Sequence, residues 1–254
     1  MFSDERRQQI IDLLKEKTFI AVPELAKLFY TSEATIRRDL DKLKKSGILK
    51  RTYGGAVLIS GIDSDIPLIV REDERILEKT KIATAAASLI NSNDVIIIDS
   101  SSTCAKMVPL LNTKKPKSVI TNSPKTAMTL AKSYNDIKIY STGGYLRAPS
   151  VSYVGESARN MISGLCVDTL FFSCVGASLK MGLTDSSEEE AALKRVMIKH
   201  ANRIVVLLDA KKFEQNAFAR ICDFSLIDYL ITDKQLDEEW LLHLENNHVR
   251  IINP

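Results

Sequence analysis

The chain has 254 residues, of which 45% are hydrophobic and 26% are charged, a composition typical of a globular protein with a sizeable core. No apolar run is long enough for a membrane-spanning helix, and the charged first residues argue against a secretory signal. The four cysteines and three histidines lack the spacing of metal ligands or of a disulfide framework. We therefore expect a cytoplasmic protein with free thiols, without a metal and without a cofactor.

The net charge of +3 is distributed unevenly along the chain. Residues 1–58 carry twelve lysines and arginines against eight acidic residues, a net charge of +4, whereas the remaining residues carry 23 basic and 24 acidic side chains. A basic segment attached to a nearly neutral one indicates a module that contacts a polyanion. The elements predicted for this segment indicate which polyanion it contacts.

The first two predicted elements are helices. Residues 5–16 show the periodicity of an amphipathic helix. After a short linker, KTFIA, the segment VPELAKLF predicts a second helix, with Pro23 in its first turn. Its buried side would consist of Leu25, Leu28 and Phe29. Both helices are expected to pack against a third one, which follows the tight turn YTSE.

The third predicted helix begins with Ser32 as its N-cap and runs to about Lys45. The segment ILKRTYGGAVL then predicts two short strands joined by a two-residue turn, Gly54-Gly55. Two helices, a tight turn, a third helix and a β-hairpin, in this order, are typical of a winged helix-turn-helix. Domains with a helix-turn-helix bind DNA.

The helical phase of the third helix separates its inner face from its outer face. Ile36, Leu40 and Leu43 share the inner face. Arg38 lies almost opposite them, and Arg37 lies at the flank. The outer face of such a helix enters the major groove, where arginine can form two hydrogen bonds with guanine. The predicted DNA-binding residues are Ser32, Glu33, Thr35, Arg37, Arg38, Lys42, Lys50, Arg51 and Tyr53.

A solvated surface helix is the alternative interpretation of the two arginines, with both of them paired to Asp41. The preceding turn and the following glycine hairpin favour DNA binding. The segment LAKLFYTSEATIRRDLDKLKKSGILKRTYGGAVL also resembles the N-terminal domain of the DeoR family of bacterial transcription regulators. It carries the LA of the second helix, S-x-x-TIRRDL-x-x-L-x-x-x-G and the wing motif GGA. This resemblance implies that residues 1–58 bind double-stranded operator DNA.

From residue 95 onward, the pattern changes to strands that alternate with helices. The chain contains six apolar runs that end in small or polar residues: VIIIDSSST, SVITNS, IKIYSTGG, DTLFFSCVG, RIVVLLD and DYLITD. Helical segments lie between them, including CAKMVPLL and SEEEAALKRVMIKHA. This alternation predicts an α/β domain with a mostly parallel, Rossmann-like sheet and helices on both faces. We therefore expect a winged helix-turn-helix at 1–58, a connector at 59–80 in which a helix begins, and an α/β domain at 81–254.

Three of these runs end in small polar residues at positions where open α/β sheets bind ligands. The turn IDSSST precedes a helix and offers hydroxyl and backbone N–H donors to an anion, of which phosphate is the obvious one. Residues 121–123 and 142–144 follow the next two strands. Capping residues occur at such positions in any α/β protein, but three such turns together favour a ligand pocket.

The C-terminal part of the chain is similar to the sensor domain of the DeoR family, itself related to ribose-5-phosphate isomerase and glucosamine-6-phosphate deaminase. The resemblance implies a phosphorylated sugar as the effector. Ser101 and Ser102 stand where the family commonly has glycine and threonine, which leaves the identity of the sugar open. The predicted effector-binding residues are Asp99, Ser100, Ser101, Ser102, Thr103, Thr121, Asn122, Ser123, Gly143, Gly144, Arg147, Gly176, Glu190, Lys194 and Lys212.

The resemblance also implies a regulator, most simply a repressor that the sugar phosphate releases from DNA. A two-fold symmetric operator would require a homodimer or homotetramer. Two alternatives remain: an isomerase or deaminase with an N-terminal extension, and a regulator that activates transcription or responds to an unphosphorylated ligand. Asp99, Asp185 and Glu190 could supply the base of an enzyme, but an isomerase has no use for a recognition helix.

The lysines in the predicted effector site also allow plainer interpretations. Lys212 could be an exposed lysine at the end of a strand. Glu190 and Lys194, four residues apart on one predicted helix, fit a surface ion pair as well as a ligand site.

Overall fold

The computed structural model describes most of the chain, namely residues 3–17, 19–45, 49–52, 54–58, 68–134 and 136–254. They form two compact units, the first within residues 1–74 and the second within residues 75–254. Tyr53, a predicted DNA contact, lies outside the described residues. The first unit includes the segment that was predicted to bind DNA, and the second includes the α/β segment.

The described part of the first unit contains helices and a small antiparallel sheet. Its elements are α1 Ser3–Glu16, β1 Ile20–Ala21, α2 Val22–Leu28, α3 Glu33–Lys45, β2 Leu49–Thr52, β3 Gly55–Leu58 and α4 Leu68–Asp73. The sheet has the order β1-β3-β2. The predicted winged helix-turn-helix is confirmed, and β1 adds a strand within a segment that was predicted to be a linker.

The helices of the first unit enclose an apolar core. Ile36, Leu40 and Leu43 of α3 are buried there with side chains of α1 and α2, so the predicted inner face of α3 is confirmed. Leu28 was predicted to be buried but is 52% exposed, because it is the last residue of α2, beside the turn toward α3. Together with Tyr30 it lines a groove of about 530 Å³ between α1 and the end of α2.

Gly55 was predicted to lie in the turn of the wing hairpin, but it belongs to a strand. It pairs with Thr52 across β2 and β3. Gly55 is needed inside the sheet instead, because a Cβ atom at this position would lie 2.4 Å from the carbonyl oxygen of Ile20. The glycine therefore allows β1 to approach β3 closely.

The second unit is built on a seven-stranded sheet. The described strands of the whole unit, including those of two smaller sheets, β10-β11-β13 and β7-β8, are β4 Val95–Ile98, β5 Ser118–Thr121, β6 Lys138–Ser141, β7 Tyr145–Arg147, β8 Ser152–Val154, β9 Val167–Phe172, β10 Gly176–Ser178, β11 Gly182–Asp185, β12 Ala201–Leu208, β13 Ala219–Cys222, β14 Tyr229–Thr232 and β15 Arg250–Ile252. The sheet has the order β15-β14-β12-β9-β4-β5-β6, and its neighbouring strands pair in parallel. The predicted mostly parallel sheet is thereby confirmed.

Helices cover both faces of this sheet. The described α-helices are α5 Ile76–Ser88, α6 Ser102–Ala105, α7 Leu111–Lys114, α8 Pro124–Ser133, α9 Glu156–Ser163, α10 Glu188–Lys199 and α11 Glu238–Asn246. Helices α5 to α8 pack on the face that includes Ile96 and Phe171, and α9 to α11 pack on the face that includes Leu170 and Phe172. Successive strand residues point to opposite faces, which explains why these strands are apolar throughout.

Two predicted helices are interrupted. The segment CAKMVPLL consists of α6, a 3-10 turn at Val108–Leu110 and the start of α7, because Pro109 cannot donate the hydrogen bond that a continuous helix requires. The helix that was predicted to begin in the connector is divided into α4 and α5. Arg75 precedes α5 with a left-handed φ of +51°, a conformation that a helix interior does not contain.

Candidate functional site

The N-terminus of α3 is held by a serine cap. The Ser32 hydroxyl accepts a hydrogen bond from the Thr35 backbone N–H at 3.2 Å and lies 3.0 Å from the Thr35 hydroxyl, which confirms the predicted N-cap. Ser32 and Glu33 are exposed. The first turn of α3 therefore presents polar side chains to solvent from a capped helix end.

Arg37 and Arg38 differ in their surroundings. Arg37 Nη2 lies 3.0 Å from Glu33 Oε2 in an exposed ion pair. Arg38 is exposed and makes no ion pair or hydrogen bond with any residue that the structure describes. The alternative in which both arginines pair with Asp41 is wrong, because Asp41 pairs with Arg51 of β2 at 2.6 Å. The guanidinium of Arg38 is therefore available to a partner outside the protein.

The basic side chains of the wing form ion pairs within the first unit. Arg51 reaches Asp41 of α3, and Lys50 pairs with Glu74. Lys42 is exposed on the outer face of α3. Surface ion pairs contribute about 0–1 kcal/mol, so phosphate oxygens can replace the carboxylates at little cost. The wing and α3 can thus exchange these partners for a nucleic-acid backbone.

A buried ion pair that the sequence reading missed anchors α3. Arg6 Nε lies 2.6 Å from Asp39 Oδ2, with 11% and 5% of the two side chains exposed. Asp39 lies within a highly charged segment, so its side chain was not predicted to be buried. Its helical phase, roughly 60° from Ile36, was the signal that could have placed it near the core. The pair fixes α3 relative to α1 and thereby orients the outer face of α3.

In the second unit, the predicted effector residues gather at the carboxyl ends of neighbouring strands. Residues of the predicted set follow or end each of the strands β12, β9, β4 and β5, which are adjacent in the sheet. Asp99 connects two of these loops. Its Oδ1 accepts from the Ser101 backbone N–H at 3.0 Å, and its Oδ2 accepts from the Ser173 backbone N–H at 3.1 Å. Asp99 is fully buried and thus holds the loops after β4 and β9 together.

A buried lysine neutralises part of this acidic cluster. Lys194 Nζ lies 2.5 Å from Asp185 Oδ2 and 3.8 Å from Asp99 Oδ2. Burial lowers the pKa of Lys194, but three nearby carboxylates, of which Asp185 acts most strongly, more than offset this effect and raise the pKa above its usual value. The surface ion pair suggested for Glu190 and Lys194 is wrong, because both side chains are buried.

Glu190 is held by two serines that the sequence reading missed. Its Oε1 accepts from the Ser150 hydroxyl at 2.7 Å and also from the Ser152 hydroxyl. Arg147 Nη1 donates to the Ser150 hydroxyl at 3.2 Å, so the predicted residue Arg147 joins the same network. These serines belong to the β7–β8 hairpin, whose three-residue strands gave no recognisable pattern in the sequence.

The loop after β5 divides its predicted residues between two roles. Asn122 Nδ2 donates to the Ser100 hydroxyl and to the Tyr153 carbonyl oxygen, at 3.3 Å each, so Asn122 joins the cluster. Thr121 Oγ1 instead accepts from the Ser123 backbone N–H at 3.1 Å, and the Ser123 hydroxyl caps α8. The hydroxyls of Thr121 and Ser123 are therefore used to shape the loop.

The serine-rich turn after β4 contains both bonded and open hydroxyls. The Ser101 hydroxyl caps α6 by accepting from the Cys104 backbone N–H at 3.2 Å. Ser102 and Thr103 are buried, and their hydroxyls make no hydrogen bond with other residues in the described part of the chain. These two hydroxyls can therefore donate to a ligand.

Lys212 closes the site at the end of β12. It is only partly exposed, and its Nζ donates to the Cys174 carbonyl oxygen, so it is not a plain surface lysine. Two predicted glycines serve the backbone instead. A Cβ atom on Gly144 would lie 2.5 Å from the Val154 carbonyl oxygen, and a Cβ atom on Gly176 would lie 2.4 Å from the Gln215 carbonyl oxygen. At Gly143, whose φ is +62°, a Cβ atom would meet no described atom within 4 Å.

Two buried thiols border the cluster and stay neutral. Burial raises the pKa of Cys104 well above its usual value, and the Asp99 carboxylate raises it further. Burial also raises the pKa of Cys174 to about 11, although Lys212 and Lys194 act in the opposite direction. Because the thiolate is the nucleophilic form, neither cysteine is activated for covalent chemistry at neutral pH.

The part of the chain that the structure describes offers no metal site. It contains no group of three histidine, cysteine or acidic side chains that could hold a metal ion. Its buried carboxylates Asp99 and Asp185 are both within 4 Å of Lys194. Within the same described ranges, no helix is long and apolar enough to cross a membrane.

A winged helix-turn-helix joined to an α/β domain with a buried polar site defines a DNA-binding regulator that responds to a small molecule. Comparison with known families agrees with this class. Residues 6–61 match the DeoR-like helix-turn-helix domain, and residues 74–234 match the DeoR C terminal sensor domain. The chain belongs to the DeoR family of transcriptional regulators. It is therefore a regulator and not an enzyme, and the isomerase or deaminase alternative is wrong.

Relatives cover nearly the whole chain. The HTH-type transcriptional regulator YulB of Bacillus subtilis is 37% identical over 254 residues, which cover 99% of this chain and 96% of the relative. A putative aga operon transcriptional repressor of Escherichia coli O157:H7 is 32% identical over 253 residues, which cover 98% of this chain and 93% of the relative. Both domains are therefore shared with these proteins.

Among solved structures, ribose 5 phosphate isomerase A from Neisseria gonorrhoeae aligns with this chain at a TM-score of 0.40. The sequences are 17% identical, and the alignment covers 54% of this chain and 53% of the isomerase. A similarity at this level does not establish a shared ligand or activity.

Proposed function

We propose that this chain represses an operon of sugar metabolism and leaves its operator when a phosphorylated sugar binds to the second unit. The observation that carries this proposal is the convergence of four strand ends on one cluster of hydroxyl, carboxylate and cationic side chains. Open α/β sheets bind ligands at such strand ends. The aga operon repressor, a relative over nearly the full chain, supports the repressor function.

In this proposal, the phosphate lies at the turn that follows β4. Ser102 and Thr103 offer hydroxyl donors, while Lys212 and Arg147 add positive charge from two other loops. Lys194 does not contact the phosphate in this proposal; it holds the carboxylates of Asp99 and Asp185 in place. The phosphate would thus contact the turn after β4 together with the loops that carry Lys212 and Arg147. Binding of the effector would draw these three loops together.

The operator contacts are proposed for the outer face of α3 and for the wing. Arg38 reads a base edge in the major groove, because its guanidinium is exposed and has no described partner. Arg37, Lys50 and Arg51 exchange their carboxylate partners for phosphate oxygens. Two copies of the chain, in a homodimer or homotetramer, would serve a two-fold symmetric operator.

Release from the operator follows from thermodynamic linkage. The effector must bind the arrangement that is incompetent for DNA more tightly than the competent one. Coupling free energies of about 1–3 kcal/mol are typical, and they lower operator affinity by roughly 5–150-fold.

A thermal-shift screen of the full chain against phosphorylated hexoses, pentoses and amino sugars tests the effector class. A bound ligand stabilises the protein in proportion to the logarithm of its concentration over Kd. The unphosphorylated forms of the same sugars are the matched controls, and only the phosphorylated forms are expected to stabilise. Stabilisation by the unphosphorylated sugars alone would contradict the proposal.

Fluorescence anisotropy with DNA from upstream of the operon then tests the direction of the response. The ligand that stabilises the protein is expected to weaken operator binding. Tighter operator binding in its presence would identify a corepressor. In a separate transcription assay, increased transcription from the bound operator would identify an activator. Either outcome would contradict release by an inducer.

A further inference from the structure

Two buried oxygen atoms in the effector site accept no hydrogen bond from any described residue. They are Glu190 Oε2 and Asn122 Oδ1, whose residues are 4% and 1% exposed. A buried acceptor without a donor destabilises the folded state, and a charged acceptor does so more strongly. Ordered water can supply such donors in the unliganded protein, and a ligand that brings its own donors can displace that water.

The two open oxygens lie beside the same strand. Glu190 Oε1 accepts from the hydroxyl of Ser152 in β8, and Asn122 Nδ2 donates to the carbonyl oxygen of the next residue, Tyr153, at 3.3 Å. The Tyr153 backbone N–H donates in return to the Asn122 carbonyl oxygen at 2.7 Å. Consecutive Cα atoms are about 3.8 Å apart, so the two residues that anchor these side chains lie within the span of one small molecule.

The neighbours of Asn122 determine the orientation of its amide. Nδ2 lies 3.3 Å from the Tyr153 carbonyl oxygen, which can only accept a hydrogen bond. In the flipped orientation, Oδ1 would face that carbonyl oxygen and the two acceptors would repel each other. The atom of Asn122 that stays open is therefore the acceptor.

The open oxygen of Glu190 is also an acceptor. Its partner oxygen, Oε1, is bound by the hydroxyls of Ser150 and Ser152, which fix the carboxylate in place. A carboxylate or phosphate group beside Oε2 would be repelled by the like charge. A hydroxyl or an ammonium group would donate to it, in a hydrogen bond that the ionised acceptor strengthens.

We infer that Glu190 and Asn122 form an acceptor subsite that selects the effector through hydrogen-bond donors on its sugar part. This inference rests on the proposed function, in which a sugar phosphate binds at these loops. The ligand class is a phosphorylated sugar or polyol that places hydroxyl groups, or an amine in place of one hydroxyl, at the two open oxygens. The subsite rejects sugar acids that would place a carboxylate there.

Isothermal titration of the full chain tests the subsite. The probes are glucose 6-phosphate, fructose 6-phosphate, ribose 5-phosphate, glucosamine 6-phosphate and 6-phosphogluconate, followed by the monodeoxy analogues of whichever probe binds most tightly. The variants are Glu190→Gln and, as the matched control, Glu189→Gln, which changes an exposed neighbour on α10. Comparing glucose 6-phosphate with glucosamine 6-phosphate distinguishes a hydroxyl from an ammonium donor.

The tightest probe is expected to bind Glu190→Gln roughly tenfold more weakly than the wild type, because a neutral amide replaces the charged acceptor. Glu189→Gln is expected to bind it unchanged. One monodeoxy analogue is expected to bind the wild type roughly tenfold more weakly than its parent sugar phosphate does. The same comparison on Glu190→Gln should give a clearly smaller difference, because the missing hydroxyl and the missing charge belong to the same contact. A melting temperature of unliganded Glu190→Gln close to that of the wild type shows that the fold is intact.

The outcomes separate the subsite from the proposed function. If a sugar phosphate binds the wild type and Glu190→Gln equally well, the subsite is overturned and the proposed function stands. If 6-phosphogluconate binds the wild type more tightly than every other probe, the subsite is overturned without recourse to a variant. If no sugar phosphate binds the wild type, the proposed function fails and the subsite fails with it.

Discussion

The two units carry their polar residues in opposite ways. In the first unit, Arg38 is exposed without a described partner, and Arg51 makes only a surface ion pair. In the second unit, Asp99, Glu190 and Lys194 are buried and bound to one another or to neighbouring loops. The first arrangement leaves charge ready for a large polyanion, whereas the second builds a fixed environment for a small ligand.

This difference separates binding from stability. An exposed cation without a partner contributes little to folding, so its removal affects mainly the interaction with DNA. A buried charge that has lost its partner is a large penalty to the folded state. Substitutions in the two units should therefore produce different combinations of changes in affinity and in the free energy of unfolding.

The largest effect on stability is expected for Lys194→Met. This substitution leaves Asp185 and Asp99 buried without their cation, and it should lower the free energy of unfolding by about 3–5 kcal/mol. Lys199→Met, at an exposed position at the end of the same helix, is the matched control and should be nearly neutral. Denaturant unfolding of both variants measures the difference. A loss below about 1 kcal/mol for Lys194→Met would contradict the buried ion cluster.

The next effect concerns DNA and leaves stability alone. Arg38→Ala is expected to weaken operator binding by about 1–3 kcal/mol, because it removes a guanidinium that reads a base edge. Arg37→Ala, which removes a flanking arginine in an exposed ion pair, is expected to weaken binding less. Anisotropy titrations at several salt concentrations measure both variants. An unchanged affinity and an unchanged salt slope for Arg38→Ala would sink the recognition-helix assignment.

The pair of Arg6 and Asp39 is an exception within the first unit and sharpens the comparison. Arg6→Ala leaves a buried carboxylate without its charged partner and should lower the free energy of unfolding by about 1–3 kcal/mol. A double-mutant cycle with Asp39→Ala isolates the pair, and the double variant should lose less than the sum of the single variants. Additive losses would show that the two side chains are not coupled.

The smallest effect on stability is expected for Arg51→Gln. Its ion pair with Asp41 is partly exposed, so the loss should be about 0–1 kcal/mol. Arg51→Gln should nevertheless remove one phosphate contact, so the slope of log affinity against log salt concentration should decrease in magnitude by about 1. A stability loss comparable to that of Lys194→Met would show that the contrast between the two units is mistaken.

The sequence predicted those features of the fold that have a regular period. The inner face of α3 followed from the spacing of Ile36, Leu40 and Leu43, and the six long apolar runs all became strands of the parallel sheet. The β7–β8 hairpin and the sheet β10-β11-β13 were missed. Their strands lack the continuous apolar runs that revealed the strands of the parallel sheet, and small residues such as Gly176, Ser178 and Gly182 interrupt them.

For the candidate site, the sequence indicated where residues would gather but not how they would pair. Strand ends placed Asp99 and Asn122 at one edge of the sheet, as the geometry of parallel sheets requires. The partners of Glu190, by contrast, lie 38 and 40 residues away in a hairpin that was not predicted. Lys194 resembled a surface residue because its spacing from Glu190 fits an exposed pair equally well.

Operator affinity with and without the effector tests the central claim, which is that a ligand at the buried site of the second unit controls DNA binding. The dissociation constant should be measured for the wild type and for Lys212→Ala, with and without the sugar phosphate that stabilises the wild type most. Lys212 lies in the loop after β12, within the second unit, so its substitution changes no residue of the DNA-binding unit. The account predicts that the ligand weakens wild-type binding by roughly 5–150-fold and leaves Lys212→Ala bound with its unliganded affinity. An equal response of both proteins, or no response of the wild type, would contradict it.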